Sequence, residues 1–407
     1  MTTRQRRIVF LGTHGQHNIG DELLLETFLT RLGTEHHYVV NSYDPAFTRT
    51  QLAGRFDVTV IDTAADRTRL LRALVGCDAL CFGGGSIIKE LNAGTGRNRY
   101  STLLMILAIV TFTRRVARKP IAMLNVGVGP VRTPRGLRLS RMILSQVDEL
   151  TVRDERSLAL CRSIGVEPRP ATDAVFSVDA KSLLGDGQDS SRTEQAASHG
   201  SPAPVRVALN LNFDVENPAN WELFLSRLAQ ALESLDARHP IELHALPMQT
   251  GFKQHDDAEV LAGFAARVPS IAFVQHELST PRDAARVIQK CDIVVSERLH
   301  AIVMASILGV PPFALVYDVK VGELAAMLRL AHWSVDINEP FDAAELTEKL
   351  AHLIRERASV AKQVAETSAN LRREACDNFD RARRWIAGLG EPRPRRRAPA
   401  ERSGGQR

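Results

Sequence analysis

Short apolar runs alternate with helical patterns along most of this chain, and this alternation restricts its fold more than any other feature. In the first half the runs cover residues 8–11, 38–40, 58–61, 79–82, 121–126 and 150–152. A second series covers residues 205–211, 241–246, 271–274, 293–295 and 313–316. Apolar strands that alternate with helices indicate repeated βαβ units, so each series predicts an α/β domain built on a parallel sheet.

The length of 407 residues, with 44% hydrophobic residues, is too great for one ordinary core and fits two α/β domains. Residues 181–204 are polar and poor in apolar side chains, which is typical of a flexible linker. We therefore expect an N-terminal domain over residues 1–180 and a C-terminal domain over residues 205–388. The C-terminal domain should end in helices that begin near Ala343.

The net charge of +5 is concentrated at the C-terminus. Six arginines and two glutamates follow Gly388, so four of the five net positive charges lie there and the rest of the chain is nearly neutral. We expect the Pro- and Arg-rich segment 389–407 to be a disordered basic tail. The remaining sequence contains no nucleic-acid-binding motif or basic stripe, so nucleic acid is not an expected partner.

The cysteines and the N-terminus predict a cytoplasmic protein. The five cysteines are scattered and form no Cys-x-x-Cys motif, which indicates packed, reduced thiols. The apolar run at 8–11 follows a basic N-terminus but is too short for a signal peptide. The apolar run at 103–112 is too short to cross a bilayer and is flanked by arginines. It predicts either a buried helix or a peripheral contact with the inner face of the membrane.

The segment 292–311 places an Arg and a His where an apolar strand gives way to a helix. Residues 293–295 form the predicted strand, residues 296–299 the turn, and residues 300–308 a helix that ends at Gly309. The first turn of such a helix has unpaired N–H groups and a positive dipole end, so a phosphate or carboxylate can bind there beside Arg298. His300 would then contact this anion with a proton that titrates near neutral pH. The alternative is that both side chains only cap or solvate the helix.

A glycine-rich turn follows the first strand, where ligands meet the carboxyl ends of parallel strands. It matches neither the dinucleotide motif nor the P-loop, so we do not expect a bound dinucleotide. Asn18, Asp21 and Glu22 in this turn can orient sugar hydroxyls or accept a proton, and His14 and His17 are rivals as the base. The alternative is that Asp21 caps the helix and the glycines only form the turn.

Three further positions follow predicted strands. Gly84 and Gly85 allow a backbone to approach a ligand or to pack tightly. Arg153 should emerge at the same sheet edge, unless it forms a structural ion pair with Asp154 or Glu155. Lys320 follows the strand at 313–316 and can be a second cation for the same anion, or an exposed loop lysine.

These pieces, in this order, resemble the polysaccharide pyruvyl transferase family. The resemblance covers roughly residues 8–335. The residues that carry it are Asn18-Ile-Gly-Asp-Glu22, Gly83-Gly-Gly85, Val152-Arg-Asp-Glu-Arg-Ser157 with Gly165, Thr172-Asp-Ala-Val-Phe176, Ser296-Glu-Arg-Leu-His300, and Gly309-Val-Pro311 with Tyr317-Asp-Val-Lys320.

The resemblance implies two Rossmann-like domains that face each other across a cleft, as in glycosyltransferases of the B type (GT-B). It also implies transfer of the pyruvyl group of phosphoenolpyruvate to two sugar hydroxyls, which gives a ketal. The donor-binding positions of the family fall on Arg153, Arg298, the backbone of Leu299, and His300. The C-terminal domain would then bind the donor and the N-terminal domain a saccharide acceptor, free or lipid-linked.

The residues fit this chemistry without a cofactor or metal. Phosphoenolpyruvate carries a phosphate and a carboxylate, and planar guanidinium groups grip such oxyanions at two points. Ketal formation needs a proton donor, for which His300 is the candidate, and a base, for which Asp21 and Glu22 are candidates. The histidines are not spaced as a zinc site.

Two alternatives differ in class. One is a GT-B glycosyltransferase that uses a nucleotide sugar, with Glu297 or Glu323 on the ribose. The other is a non-catalytic sugar-binding or scaffold protein, against which the aromatic content of 5% argues.

Overall fold

The protein contains two parallel sheets, one from each half of the sequence. The computed structural model describes residues 5–91, 98–185, 203–213, 218–252 and 256–390. The first half contains β1 (Arg7–Leu11), α1 (Ile19–Leu32), β2 (His37–Ser42), α2 (Pro45–Leu52), β3 (Asp57–Asp62), α3 (Arg67–Gly76), β4 (Ala79–Gly83), α4 (Ser101–Thr111), β5 (Ile121–Val126), α5 (Pro134–Leu144), β6 (Glu149–Val152), α6 (Glu155–Ser163), β7 (Arg169–Pro170) and α7 (Ala180–Leu184). The second half contains β8 (Val205–Asn210), α8 (Pro218–Asp236), β9 (Ile241–Ala245), α9 (Asp257–Ala265), β10 (Ala272–Val274), α10 (Pro281–Lys290), β11 (Ile293–Ser296), α11 (Leu299–Leu308), β12 (Pro312–Val316), α12 (Val319–Met327), β13 (Ser334–Asp336), α13 (Ala343–Arg355) and α14 (Arg357–Ala387).

Each sheet begins in its interior and grows in both directions. The strand order is β3-β2-β1-β4-β5-β6-β7 in the first sheet and β10-β9-β8-β11-β12-β13 in the second. The chain changes direction between β1 and β4, and again between β8 and β11. Ligands of open α/β sheets bind at the carboxyl ends of the strands beside such a switch point. The prediction of two Rossmann-like α/β domains is confirmed.

The observed elements differ from the predicted ones mainly at the helix starts and in two short edge strands. The helix after β1 begins at Ile19 because the side chain of Asn18 accepts a hydrogen bond from the N–H of Gly20 at 3.0 Å. The helix after β11 begins at Leu299, one residue earlier than predicted. The sequence did not indicate β7 and β13, which have two and three residues at the sheet edges, because strands this short show no clear pattern.

The two halves share one apolar core. Buried residues of β1, α1, β8, α11 and α14 belong to a single hydrophobic cluster. Helix α14 follows the second sheet but packs back on α1, where the rings of Phe28 and Phe379 lie 5.2 Å apart edge to face. The N–H of Ile19 also donates to the carbonyl of Met248 at 2.9 Å. A second cluster lies on the other face of the first sheet, under α3, α4, α5 and α6.

The predicted linker and tail lie mostly outside the described residues. Helix α7 includes residues 181–184 of the predicted linker, and residues 186–202 are not described. At the start of the predicted tail, Leu389 is buried and its carbonyl accepts a hydrogen bond from Arg6, while residues 391–407 are not described. None of the described helices, α4 included, is both long and apolar enough to span a membrane.

Candidate active site

Asp173 lies at the centre of the site and contacts both halves of the protein. It precedes a 3-10 helix (Ala174–Ser177), where its Oδ1 accepts a hydrogen bond from the N–H of Val175 at 3.0 Å. Its Oδ2 accepts from Nη1 of Arg153 at 3.3 Å and lies 3.8 Å from Nε2 of His300. Arg153 follows β6 in the first half and His300 lies in the first turn of α11 in the second. One carboxylate therefore joins two predicted site residues from different sheets.

Arg153 is buried and held in a fixed position. Its side chain is 6% exposed, its Nη2 donates to Oγ of Ser86 at 3.1 Å, and its Nε lies 3.7 Å from Oδ2 of Asp154. The structural ion pair with Asp154 that the sequence suggested is thus present, but Asp173 is closer. A Cβ on Gly127 would lie 3.3 Å from Nε of Arg153, so the backbone of the neighbouring loop packs directly against the guanidinium.

The glycines after β4 are needed for packing. A Cβ on Gly83 would lie 2.2 Å from the ring of Phe10. Gly84 and Gly85 have φ angles of 61° and 68°, which favour glycine. This turn carries Ser86 to Arg153, so Gly84 and Gly85 act on the site at least through the position of that serine. Their direct contact with a ligand stays a prediction.

His300 lies between the two halves with an unsatisfied nitrogen. Its side chain is 12% exposed, and Nε2 has no hydrogen-bond partner among the described residues. Helix α1 approaches so closely that a Cβ on Gly20 would lie 2.2 Å from Nδ1 of His300. Burial lowers the pKa of His300, against the opposing effect of the Asp173 and Asp21 carboxylates. The imidazole is therefore mainly neutral at pH 7 until another negative charge arrives.

Arg298 is bound by an acidic residue of its own half. Its Nη2 donates to Oδ1 of Asp257 at 2.6 Å and its Nε to Oδ2 at 3.2 Å, which is a two-point contact. Nη2 also donates to Oε1 of Gln249 at 3.0 Å. Asp257 is 1% exposed, so this pair is nearly dry. The guanidinium of Arg298 thus has a carboxylate partner in this structure, and the predicted contact of Arg298 with the donor stays a prediction.

The start of α11 and Lys320 add positive potential. Leu299 and His300 are the first two residues of α11, and their N–H groups have no carbonyl one turn earlier within the helix to bind. Lys320 lies in the first turn of α12, with Nζ 2.8 Å from Oδ2 of Asp318. Burial would lower the pKa of Lys320, but Tyr317 and Asp318 outweigh it and raise that pKa. The positive charge of Lys320 also helps to lower the pKa of His300.

The three polar residues of the first turn have different environments. Asn18 caps α1, so the alternative in which Asp21 only caps this helix is wrong. Asp21 is partly exposed and raises the pKa of His300. Glu22 is 2% exposed, and its Oε1 accepts from the N–H of Gly15 at 2.8 Å. Burial raises the pKa of Glu22 to about 8, so this carboxyl is mainly protonated at pH 7.

The two rival histidines differ from His300. His14 is 2% exposed and stacks on Phe10 at 5.8 Å, and burial lowers its pKa to about 3, so it stays neutral. Nε2 of His17 lies 3.1 Å from Oδ2 of Asp44, and its ring contacts Phe47. Neither histidine forms a hydrogen bond or ion pair with Asp173 or Arg153 in the described part of the chain.

Sequence reasoning did not select three residues that organise the site: Asp173, Ser86 and Asp257. Asp173 belongs to the segment Thr172–Phe176, which carried part of the family resemblance, and that resemblance was the signal for it. Ser86 follows three glycines at a strand end. Asp257 gave no such signal, because it lies 41 positions before Arg298 and meets it only through the fold. Within the described ranges, no group of three or more His, Cys, Asp or Glu side chains is placed to hold a metal.

Solved structures with this architecture are enzymes of the GT-B class. Anabaena Alr3699/HepE in complex with UDP-glucose is 15% identical, with a TM-score of 0.61, over 94% of this chain and 98% of that one. UDP-GlcNAc 2-epimerase from Neisseria meningitidis is 11% identical, with a TM-score of 0.56, over 92% and 98%. Sucrose-phosphate synthase from Thermosynechococcus elongatus is 14% identical, with a TM-score of 0.59, over 94% and 99%. At these identities the likeness shows the fold alone, and it confirms the GT-B-like arrangement.

Two Rossmann-like halves with a polar, charged site between them thus define a protein of the GT-B-like class. The chain belongs to the polysaccharide pyruvyl transferase family, whose model matches residues 18–319. A curated relative is the amylovoran biosynthesis protein AmsJ of Erwinia amylovora, 20% identical over 258 residues. That match spans 61% of this chain and 61% of AmsJ.

Proposed function

We propose that this protein transfers the pyruvyl group of phosphoenolpyruvate to two hydroxyls of a saccharide acceptor and forms a ketal. The acceptor would be a precursor of an exopolysaccharide or cell-surface glycan, free or lipid-linked. The family membership supports the class of reaction. The five free cysteines support a reducing compartment, and we place the reaction in the cytoplasm.

The observation that carries the proposal is the contact of Arg153 and His300 with one carboxylate, Asp173, between the halves. A guanidinium and an imidazole at one point suit a small substrate with two anionic groups. Lys320 and the first N–H groups of α11 add donors for the phosphate. An arriving anion would compete with Asp173 for Arg153, because Arg153 is 6% exposed and already paired.

The reaction needs a proton on the methylene carbon of the donor. Burial lowers the pKa of His300, and a phosphoenolpyruvate anion bound beside the imidazole would raise that pKa and favour its protonated form. Transfer of this proton turns the methylene into a methyl group and leaves an oxocarbenium-like carbon. One sugar hydroxyl adds to this carbon and gives its proton to the base. Phosphate then leaves, and the second hydroxyl closes the ketal while its proton passes to the phosphate. General acid–base assistance of this kind is worth about 10² to 10⁴-fold.

Asp21 suits the role of base better than Glu22. Asp21 is partly exposed and close enough to His300 to affect its pKa. Glu22 has a pKa of about 8 and is buried, so at pH 7 it holds a proton and cannot readily accept one. Arg298 would act by orientation: its pair with Asp257 fixes the start of α11, from which the N–H groups of Leu299 and His300 point.

A nucleotide-sugar glycosyltransferase is the second candidate, because HepE of the same architecture was solved with UDP-glucose. This candidate needs a carboxylate for the ribose. Glu297 does not suit that role: it is 0% exposed, and its Oε2 accepts from Nδ2 of Asn212 at 3.2 Å. Glu323 is partly exposed and stays a candidate for it.

The test is incubation of the protein with phosphoenolpyruvate and lipid-linked oligosaccharides, with phosphate release and the mass gain of a pyruvate ketal as readouts. His300→Gln should lower turnover by about 10² to 10⁴-fold, with a much smaller loss of phosphoenolpyruvate affinity by calorimetry. The matched control is His332→Gln, which changes an exposed histidine outside the site. Binding of UDP-glucose in place of phosphoenolpyruvate, or full turnover by the His300 variant, would overturn the proposal.

A further inference from the structure

Most of the exposed large hydrophobic residues of the described chain lie on the outer layer of the first domain. Ten large hydrophobic residues are exposed among those described, and six of them lie on α3, α4, α5 and the π-helix (Phe112–Ala117) that continues α4. These six are Leu71, Val75, Leu104, Met105, Val116 and Met142. We call the exposed surface of these four elements the α3–α5 face.

Helix α4 is apolar on both sides. Leu103, Ile106 and Val110 are buried in the second hydrophobic cluster. Leu104 and Met105, on the opposite side, are 42% and 48% exposed. A helix in the outer layer of a globular domain normally places polar residues toward water. The sequence of α4 contains no charged residue, so its outer side is not adapted to water.

The apolar residues are surrounded by positive charge. Helix α3, residues 112–119 and α5 contain three, four and three Lys or Arg residues respectively, and no Asp or Glu. The whole chain has 52 basic and 47 acidic residues, so this face departs strongly from the average. Two of the arginines are paired with acids at its border, Arg69 with Asp66 at 3.2 Å and Arg114 with Asp148 at 3.0 Å. The cations come from three separate segments, which is why the sequence alone showed no basic stripe.

The α3–α5 face is a single surface on the far side of the first sheet. Helix α4 packs against α5 and the π-helix, and the π-helix packs against α3. These elements cover the second hydrophobic cluster, whereas α1, α14 and the second half belong to the first. The face is therefore directed away from the core that the two halves share.

We propose that the α3–α5 face binds the surface of a bilayer that contains anionic lipids. The exposed leucine, methionine and valine side chains would enter the boundary between headgroups and acyl chains, and the arginines would contact lipid phosphates. Helix α4 has 11 residues, about 16 Å at the helical rise, so it would lie in the interface and not cross it.

A second copy of the chain is a poorer occupant. A two-fold dimer places the same patch on both subunits, and here it would bring the cations of one copy against those of the other. Anionic lipid offers apolar chains and negative charge together, which matches both properties of the face. The inference goes beyond pyruvyl transfer, and its test uses no turnover.

The test is co-sedimentation of the full chain with vesicles of phosphatidylcholine alone and vesicles of phosphatidylcholine and phosphatidylglycerol in equal parts. Binding should appear with the anionic vesicles and weaken as salt is raised. Arg115→Glu should lower the partition coefficient by about fivefold or more, and Met105→Glu by about tenfold or more. The arginines of the tail are present in every variant, so these differences report on the α3–α5 face.

Matched controls use residues of similar exposure elsewhere. Leu223→Glu changes an apolar side chain that is 47% exposed on α8, and Arg373→Glu an exposed arginine on α14. Both should bind vesicles nearly as the parent does, and circular dichroism should show all four variants folded. Equal binding to both kinds of vesicle, or equal loss in the α8 control, would overturn the proposal. So would a concentration-dependent dimer that Met105→Glu dissociates, since the face would then be a self-interface.

Discussion

At the scale of single residues, Asp173 and burial act on His300 in opposite directions. Burial lowers the pKa of the imidazole, and the carboxylate 3.8 Å from Nε2 raises it. Asp173 also accepts a hydrogen bond from Arg153. It therefore sets both the protonation of the proposed acid and the position of the proposed donor-binding cation.

Asp173→Asn should shift the pH dependence of turnover. Removal of the carboxylate lowers the pKa of His300 further, so the protonated form needed by an acid disappears at lower pH. The falling limb of activity with rising pH should move to lower pH, and activity above it should fall about tenfold for each unit of that shift. A pH–rate profile with phosphoenolpyruvate measures this. Asp342→Asn removes a comparable helix-capping carboxylate from α13 and should leave the profile in place; an unmoved limb in the Asp173 variant would contradict this role.

Glu22 should make the folded protein less stable as the pH rises. Its pKa is raised from an ordinary 4.5 to about 8 in the folded state, so the folded form binds a proton that the unfolded form has released in this window. The free energy of unfolding therefore falls as the pH rises from 4.5 to about 8, and Glu22 causes no further change above that range. Glu22→Gln should flatten that decline in urea unfolding measured at about pH 5 and pH 8. Glu26→Gln, which removes the partner of Arg55 one turn further on, should keep the decline.

At the scale of elements, the contact of α1 with α11 holds His300 in place. A Cβ on Gly20 would lie 2.2 Å from Nδ1 and 2.9 Å from Cβ of His300, so only a glycine fits this point of α1. Gly20 is helical, and alanine is the better helix former by about 1 kcal/mol. Helix propensity alone would favour alanine at position 20, whereas the contact with His300 requires glycine.

Gly20→Ala should lower turnover by tenfold or more, on the order expected for a misplaced catalytic group, while the protein stays folded. The control is Gly263→Ala in α9, where a Cβ meets nothing within 4 Å. That variant should keep full activity and gain about 0.5 to 1 kcal/mol in unfolding free energy. Turnover by Gly20→Ala equal to that of the Gly263 variant would show that the close approach has no role in positioning His300.

Local sequence patterns predicted the strands and the residues that follow them, but not the contacts between distant elements. Buried strands such as β1 and β11 were predicted because nearly every residue in them is apolar, and Arg153 and His300 were placed because they follow such strands. The partner of Arg298 could not be predicted, since Asp257 is the first residue of α9 and reaches Arg298 only when β9 and β11 lie in one sheet. The role of Asp173 depends on the contact between halves, which no local pattern contains.

At the scale of the whole molecule, the two sheets behave as parts of one folded unit. Buried residues from both halves form one cluster, and α14 returns from the second half to pack on α1. Nε2 of Gln249 also donates to the carbonyl of Gln16 at 3.2 Å across the halves. Since the site lies at this junction, its geometry depends on the same contacts that stabilise the molecule.

Phe379→Ala should therefore weaken both stability and activity. Phe379 is 3% exposed and packs on Phe28 at 5.2 Å, so its removal leaves a cavity at the junction and should cost about 3 to 5 kcal/mol. Calorimetry should show one unfolding transition in the parent, because a shared core couples the halves, and a lower transition temperature in the variant. Leu223→Ala, at a side chain 47% exposed, should change stability by less than about 0.5 kcal/mol. Two separate transitions in the parent would contradict this prediction, because they would mean that the halves unfold independently. The shared core would then not fix the position of Arg153 relative to His300.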